Sequence, residues 1–237
     1  MQLITDLHTH ILPEIDDGSQ SVTESINMLQ SLTDQGVQRI LLTPHFYPQR
    51  CSSVDFIQAR TQAAQKLITH PDFPKNMAVC IAAEVYLHEA LLNCSTDEIR
   101  QLCIPTTDFI LTEFPYNEKL SASVLRRVSA LIYNFNCIPV LAHIERYLDR
   151  LDDKTIEHLL EDGCRLQINL NHWETLPFLK KRRLMRLLRA GLVDCCGSDC
   201  HNLCSRPPEF AASAKRLESI LDQDTYRSII TSKNIFK

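Results

Sequence analysis

Glycine is scarce, with five residues in 237, so no Gly-rich loop is available to cradle a nucleotide phosphate and most turns must be made by other residues. Long apolar runs are missing as well. None reaches the roughly 18 residues that a membrane helix needs, so the chain is not expected to be membrane-inserted. Met1-Gln2-Leu3-Ile4-Thr5-Asp6 runs straight into a polar His-Thr-His without the basic and apolar segments of a secretory signal. A cytoplasmic location is expected. Positive charge is not in excess: the net charge is −4, which argues against a broad field for nucleic-acid backbone and makes nuclease activity a weak option. Internal repeats and low-complexity segments are absent. Cysteine, by contrast, is plentiful at ten residues. Without a secretory signal these are expected as free thiols or small buried hydrophobes rather than disulfides.

What is present is an alternation of two periodicities. Val22, Ile26, Leu29 and Leu32 recur at helical spacing, Gly36 supplies a stop, and Val37 to Thr43 then reads as a strand. The pattern repeats: a helix from about Val54 to Ile68 before a strand at Met77 to Ala83, then a strand at Phe109 to Thr112. Ser123 to Phe135 leads to a strand at Ile138 to Ala142. Thr155 to Glu161, closed by Gly163, leads to Arg165 to Asn169, and Pro177 to Ala190, closed by Gly191, leads to Val193 to Asp199. With Leu3 to Leu7 this makes seven strands separated by helices, an α/β chain with a mainly parallel sheet and right-handed crossovers. The length is close to the roughly 250 residues of an α/β barrel, so residues 1–237 are read as one domain. The stretch after Pro208 reads as one or two helices without chemistry.

The strand ends favour a closed barrel over an open sheet. They finish at His8 and His10, His45, Glu84, Glu113, His143, Asn169 and Asn171, and Asp199 and His201. In a parallel barrel the C-terminal strand ends converge on one face, so these residues would meet around one cavity. Each has a plainer reading alone: surface imidazoles for His8-Thr-His10, an Asp-Gly turn for Asp16-Asp17-Gly18, a structural histidine for His45 or His143, a salt bridge for Glu84 or Glu113. Their recurrence at strand ends favours divalent metal, because acids on strongly apolar strands need a partner. Mixed nitrogen and oxygen donors suit zinc, manganese or iron, and a bridging acid could hold two ions about 3.5–4 Å apart.

Arg146 and Arg206 each lie within seven residues of a candidate ligand, and guanidinium beside metal ligands matches the oxygens of a phosphoryl group. Cys200 to Arg206 and Cys94 to Arg100 both fit Cys-x5-Arg, the spacing of cysteine-dependent tyrosine phosphatases. The first lacks the usual glycines and the second carries Asp97 and Glu98, so neither is read as a nucleophile loop. Lys180 to Arg183, with Arg186 and Arg189, reads as the solvated face of a helix that turns Leu184, Leu187 and Leu188 inward.

Taken in order, His8-Thr-His10, Asp16-Asp17-Gly18, Thr43-Pro44-His45, Ala83-Glu84, Glu113-Phe114, Ala142-His143-Ile144-Glu145-Arg146-Tyr147, Ser198-Asp199-Cys200-His201-Asn202 and Arg206-Pro207-Pro208 resemble a known family. It is that of the bacterial protein-tyrosine phosphatases of the polymerase and histidinol phosphatase superfamily. The resemblance spans residues 3 to 208 and implies a distorted (β/α)7 TIM-like barrel with three divalent ions, most often Mn²⁺, with Fe, Zn or Mg as alternatives. It implies one ion on His8, His10, Glu84 and Asp199, a second on Glu84, Glu113 and His143, and a third on Asp17, His45 and His201. Arg146 and Arg206 would grip the phosphoryl oxygens. The implied reaction is hydrolysis of phosphotyrosine by a metal-bridging hydroxide, without a covalent enzyme intermediate, on an autophosphorylating tyrosine kinase that controls capsule or exopolysaccharide export. Two departures from the family pattern are Ala83, where glycine is common before the shared Glu, and Cys200, where larger residues are common. The alternatives are a histidinol-phosphatase-like small-molecule phosphomonoesterase and an inactive metal-bound module that docks a kinase through the basic helix.

Overall fold

The computed structural model describes residues 3–116, 120–171 and 173–236. Nine strand segments occur among them: β1 (Thr5–Asp6), β2 (Arg39–Leu42), β3 (His45–Phe46), β4 (Ala78–Ile81), β5 (Glu84–Tyr86), β6 (Phe109–Glu113), β7 (Ile138–Leu141), β8 (Arg165–Asn169) and β9 (Cys195–Gly197). All paired neighbours are parallel, in the orders β1-β2-β4 and β3-β5-β6-β7-β8-β9. The excess over seven has a local cause. Pro44 has no N–H to give to a ladder, so the second stave breaks into β2 and β3, and the third breaks beside it at Ala82-Ala83 into β4 and β5. Bonds from Ala82 N to Leu42 O (3.0 Å) and from Glu84 N to Pro44 O (3.1 Å) carry the pairing through the break. Beyond it, His45 and Glu84 face each other in register.

The ring closes between the first and last staves. Leu7 N donates to Cys196 O at 3.1 Å, Asp199 N donates to His8 O at 2.8 Å, and Thr9 bridges to Cys200. The result is the distorted seven-stave barrel expected from the sequence. Strand alternation sorts the core into two layers. Leu7, Leu41, Leu111, Val140, Ala142 and Cys195 pack together inside the ring, whereas Ile40, Leu42, Ile110, Leu141, Leu166, Ile168 and Cys196 pack outward with the helices.

The helices fall where the periodicity places them: α1 (Val22–Asp34), α2 (Ser53–Ile68), α4 (Ala122–Tyr133), α5 (Asp153–Glu161) and α6 (Phe178–Arg189). Side chains of Ser21, Ser52 and Asp152 cap the first, second and fifth helices. A short α3 (Thr96–Arg100) was not expected; a reciprocal Ser95–Glu98 capping box makes one turn stable there without an amphipathic repeat. After the barrel come α7 (Ala211–Glu218) and α8 (Gln223–Ile230). Helix α7 has no cap from its own N-terminal residue, and Gln35 at the end of α1 supplies one, its Oε1 accepting from Phe210 N and Ala211 N at 2.8 and 3.1 Å. The chain then runs under the barrel, where Ile235 joins the interior layer and Phe236 lies beneath the Arg39 guanidinium at 4.1 Å.

Two of the few glycines are demanded by close approach. A Cβ on Gly197 would sit 2.5 Å from His8 Cβ, and one on Gly18 would overlap the His10 carbonyl. Both let backbone press against the two leading histidines. All ten cysteines are free thiols.

Candidate metal centre

At the C-terminal mouth the nine candidate ligands meet. His8 and His10 point their Nε2 atoms at one place, 3.1 Å apart. Glu84 Oε2 lies 3.1 Å from His8 Nε2 and 3.3 Å from His10 Nε2, and Asp199 Oδ1 lies 3.6 and 3.3 Å from the same atoms. Glu84 faces the next group as well: Oε1 is 2.9 Å from His143 Nε2, which is 3.5 Å from Glu113 Oε1, and Oε2 is 2.9 Å from His45 Nδ1. Asp17 Oδ1 is 3.6 Å from His45 Nε2 and 3.5 Å from His201 Nε2. Donors bound about 2.0–2.2 Å from one ion stand about 3–3.5 Å from each other. Among the described residues three donor sets have metal-ligand spacing: His8, His10 and Glu84; His45, Glu84 and Glu113; and His10, Asp17, His45 and His201. His10 and His45 thus each join two sets, where the resemblance gives each one, and His143 and Asp199, expected as ligands, fall in none of the three.

The atoms facing the cavity fit cations by their chemistry. Glu84 Oε2, His45 Nδ1 and His201 Nε2 are buried without a hydrogen-bond partner, although Glu84 Oε2 has three imidazoles around it. Burying polar atoms in that condition is costly unless a cation supplies the missing interaction. Partners on the far ring edges set which nitrogen is bare. His10 Nδ1 is 2.7 Å from Asp16 Oδ2, and His201 Nδ1 is 3.0 Å from the Asp199 carbonyl, so each carries its proton there and leaves Nε2 free. Electrostatics agree. Burial and the adjacent Glu84 carboxylate push Glu113 up to about 8, while burial and the Arg146 charge push His143 down to about 4. His10 runs the other way: burial is outweighed by Asp16, Asp199 and Glu84, which hold its imidazole well above its usual value, so Nε2 carries a proton that a cation there would displace.

Two candidate ligands are held in the left-handed backbone region, His143 at φ 35° and Asp199 at φ 53°. Non-glycine residues there cost of order 1–3 kcal/mol each and cluster at functional sites.

Asp199 divides its oxygens. Oδ1 faces the histidines, whereas Oδ2 accepts from Asn169 Nδ2 at 2.6 Å and Arg146 Nη2 at 2.7 Å and lies 2.7 Å from Arg206 Nη2. Both arginines named from the sequence therefore converge on one oxygen at the mouth, each with about 30% of its side chain exposed (30% for Arg146 and 29% for Arg206).

Several contributors were not foreseen. Asp16 orients His10 and accepts from His45 N at 2.8 Å, while its neighbour Asp17, 66% exposed, reaches the donor sets. Gln167 Oε1 accepts from His143 N at 2.6 Å and lies 3.4 Å from His8 Nδ1. A signal for it was present: Gln167 and Asn169 share one face of an otherwise apolar strand, and that face is the barrel interior. The basic helix is corrected. Its face is not solvated throughout, because Lys180 Nζ donates to Arg146 O at 3.1 Å, and Arg183 bonds Leu148 O and, at 2.7 Å, Leu151 O. Helix α6 ties down the segment that carries Arg146. Cys200 is fully buried, and burial with nearby Asp6 raises its thiol well above the ordinary value, the opposite of an activated thiolate.

A parallel barrel whose C-terminal strand ends present a cluster of histidines and acids, with arginines over it, defines a metal-dependent hydrolase of the barrel class. The chain belongs to the CpsB/CapC family of capsular polysaccharide synthesis, whose model matches residues 4–236. It is 32% identical over 221 residues to the tyrosine-protein phosphatase CpsB of Streptococcus pneumoniae, covering 86% of this chain and 85% of that protein. It is 30% identical over 211 residues to the tyrosine-protein phosphatase YwqE of Bacillus subtilis, covering 85% and 78%. A structure from work on YwqE and CpsB, described as unique metal-dependent tyrosine phosphatases, superposes with a TM-score of 0.71 at 26% identity over 90% of this chain and 85% of that one. A phosphotriesterase homology protein from Escherichia coli shares the fold at a TM-score of 0.62 and 12% identity, covering 100% of this chain and 99% of that one.

Proposed function

We propose that this chain is a metal-dependent protein-tyrosine phosphatase, acting as one domain in the cytoplasm on an autophosphorylating bacterial tyrosine kinase that regulates capsular or exopolysaccharide synthesis. The observation that carries the reading is the pairing of buried, cation-seeking donors around Glu84 with two arginines that meet at Asp199 Oδ2. Three divalent ions, Mn²⁺ before Fe, Zn or Mg, would be held by His8, His10, Glu84 and Asp199; by Glu84, Glu113 and His143; and by Asp17, His45 and His201. When bound, such ions lower the pKa of water and neutralise charge on phosphoryl oxygens.

The chain's own groups do the rest. Arg146 and Arg206 take non-bridging phosphoryl oxygens, exchanging their contact with Asp199 for bidentate contacts to the substrate. Asp16, Gln167 and the Asp199 carbonyl keep three imidazoles in the required tautomer and orientation. The leaving phenolate has a pKa near 10, so it needs less protonation than an alkoxide would.

The test compares initial rates on a phosphotyrosyl peptide and on histidinol phosphate, with protein stripped by EDTA and then reloaded with Mn²⁺. A metal-restored preference for the peptide is expected. Preference for histidinol phosphate would move the function to a small-molecule phosphomonoesterase, and no rate on either would leave an inactive module.

A further inference from the structure

The donor sets have two edges. On the Asp199 edge stand Arg146 and Arg206. On the His45 edge a cleft of about 380 Å³ opens, its lining including Asp17, His45, Ile15, Tyr47, Arg50 and Phe56. Asp17 and His45 are themselves metal-donor candidates, so a group in the cleft lies beside whatever sits on the ions. The sides are unlike the rest of the mouth. The Tyr47 ring is half-buried, 5.0 Å from the His45 ring and 5.3 Å from the Tyr86 ring. The Arg50 guanidinium lies 4.4 Å from the Tyr47 ring centroid, and no Arg50 ion pair is found among the described residues. Tyr47 is held between an imidazole, a second tyrosine and a cation.

We infer that this cleft is an aryl subsite: Ile15, Tyr47 and Phe56 receive the aromatic ring of the substrate while its phosphoryl group lies over the donor sets. This rests on the phosphatase reading above and deepens it, since it makes aryl over alkyl phosphate selection a property of named residues. The geometry assigns each part of the ester a place. With two non-bridging oxygens drawn to the arginine edge, the bridging oxygen and its ring are left toward the His45 edge. A phenyl ring there meets the side chains of Tyr47, Ile15 and Phe56, and ring pairs favour offset or edge-on contact. A serine or alkyl phosphate reaches the same ions and arginines but leaves the cleft to water. Arg50 acts as a positioning residue, since its contact is with Tyr47 and fixes that ring across the entrance.

The experiment uses metal-loaded full-length protein and two non-hydrolysable peptides of identical sequence, one carrying phosphonomethyl-phenylalanine and the other a phosphonoalkyl side chain, with Kd measured by calorimetry. The wild type is expected to bind the aryl peptide more tightly. Tyr47→Leu should weaken aryl binding about tenfold, the size of one lost aromatic contact, and alkyl binding less than twofold. Tyr47→Phe should restore the aryl preference, and Arg50→Ala should lose part of it. Equal losses on both peptides, no loss on either, or no aryl preference in the wild type would overturn the inference. Because the readout is binding, it stands apart from hydrolysis. A protein that turns over no phosphate ester but keeps the Tyr47-dependent aryl preference would sink the phosphatase reading and spare the cleft.

Discussion

The two mouths of the barrel bury charge in opposite ways. At the N-terminal mouth, Asp194 is surrounded by partners: Leu166 N and Asn234 Nδ2 donate to it at 3.1 and 2.9 Å, and Arg165 Nε stands 3.8 Å away. Ile235 and Phe236 then close that end with apolar surface. At the C-terminal mouth, Glu84 Oε2, with three imidazoles around it, is left without a hydrogen bond. The polar face of β8 spans both regions, with Arg165 below, Gln167 between and Asn169 at the site. One end uses protein partners to make a buried acid tolerable, and the other leaves the requirement for a cation. Stability and chemistry are thus assigned to different ends of one ring, as parallel barrels allow.

If that division holds, substitutions at the two ends should fail differently. Glu84→Gln removes the carboxylate shared by two donor sets. Phosphotyrosyl peptide hydrolysis should fall on the order of 10³-fold, and metal analysis should find fewer ions per chain; full metal content with unchanged rate would contradict the shared role. Next in size are the arginines. Arg146→Ala and Arg206→Ala should each lower kcat/KM by about 10²-fold, and because both meet Asp199 Oδ2 the double variant should lose less than the product of the two. Simple additivity would mean that the two guanidiniums do not share one target.

At the other mouth the expected effects are on folding. Ile235 is 1% exposed, so Ile235→Ala should cost about 2–4 kcal/mol in denaturant unfolding while metal content is retained. Loss of metal with little change in unfolding would erase the distinction between the ends. The smallest effect concerns Asp194, whose carboxyl burial raises despite its Asn234, Leu166 and Arg165 partners. Its folded pKa lies above the unfolded one, so its contribution is fully present below the unfolded value and is lost as pH rises through the folded value. The unfolding free energy of wild type minus that of Asp194→Asn should therefore fall as pH rises from about 3 and then level off. A difference that grew with pH would reverse the assigned direction.

Much of this was legible in the residues. Helical spacing ended by Gly36, Gly163 and Gly191 located staves and helices, because a repeat of 3.6 followed by a stop is a local property. Polar residues terminating apolar runs located the ligand candidates for the same reason. Less legible were features that depend on what lies across the ring. Neither the break at Pro44 nor its extension to Ala82-Ala83 was read from the residues, the second because it follows from pairing with a broken neighbour. Asp16 and Asp17 are alike in sequence, yet one braces His10 and the other reaches His201. The basic residues of α6 read as a solvated face because nothing local shows that Lys180 and Arg183 reach carbonyls of the segment after His143.

The order of strands and helices and the chemistry of the donors are settled by residues a few positions apart, because periodicity, caps and residue types act locally. Ring closure placed four imidazoles around Glu84, brought Arg146 and Arg206 to one oxygen, and opened a cleft lined by Tyr47 and Phe56 beside them. Those outcomes depend on closing a seven-stave ring, which brings together residues up to 190 or so positions apart in one small volume.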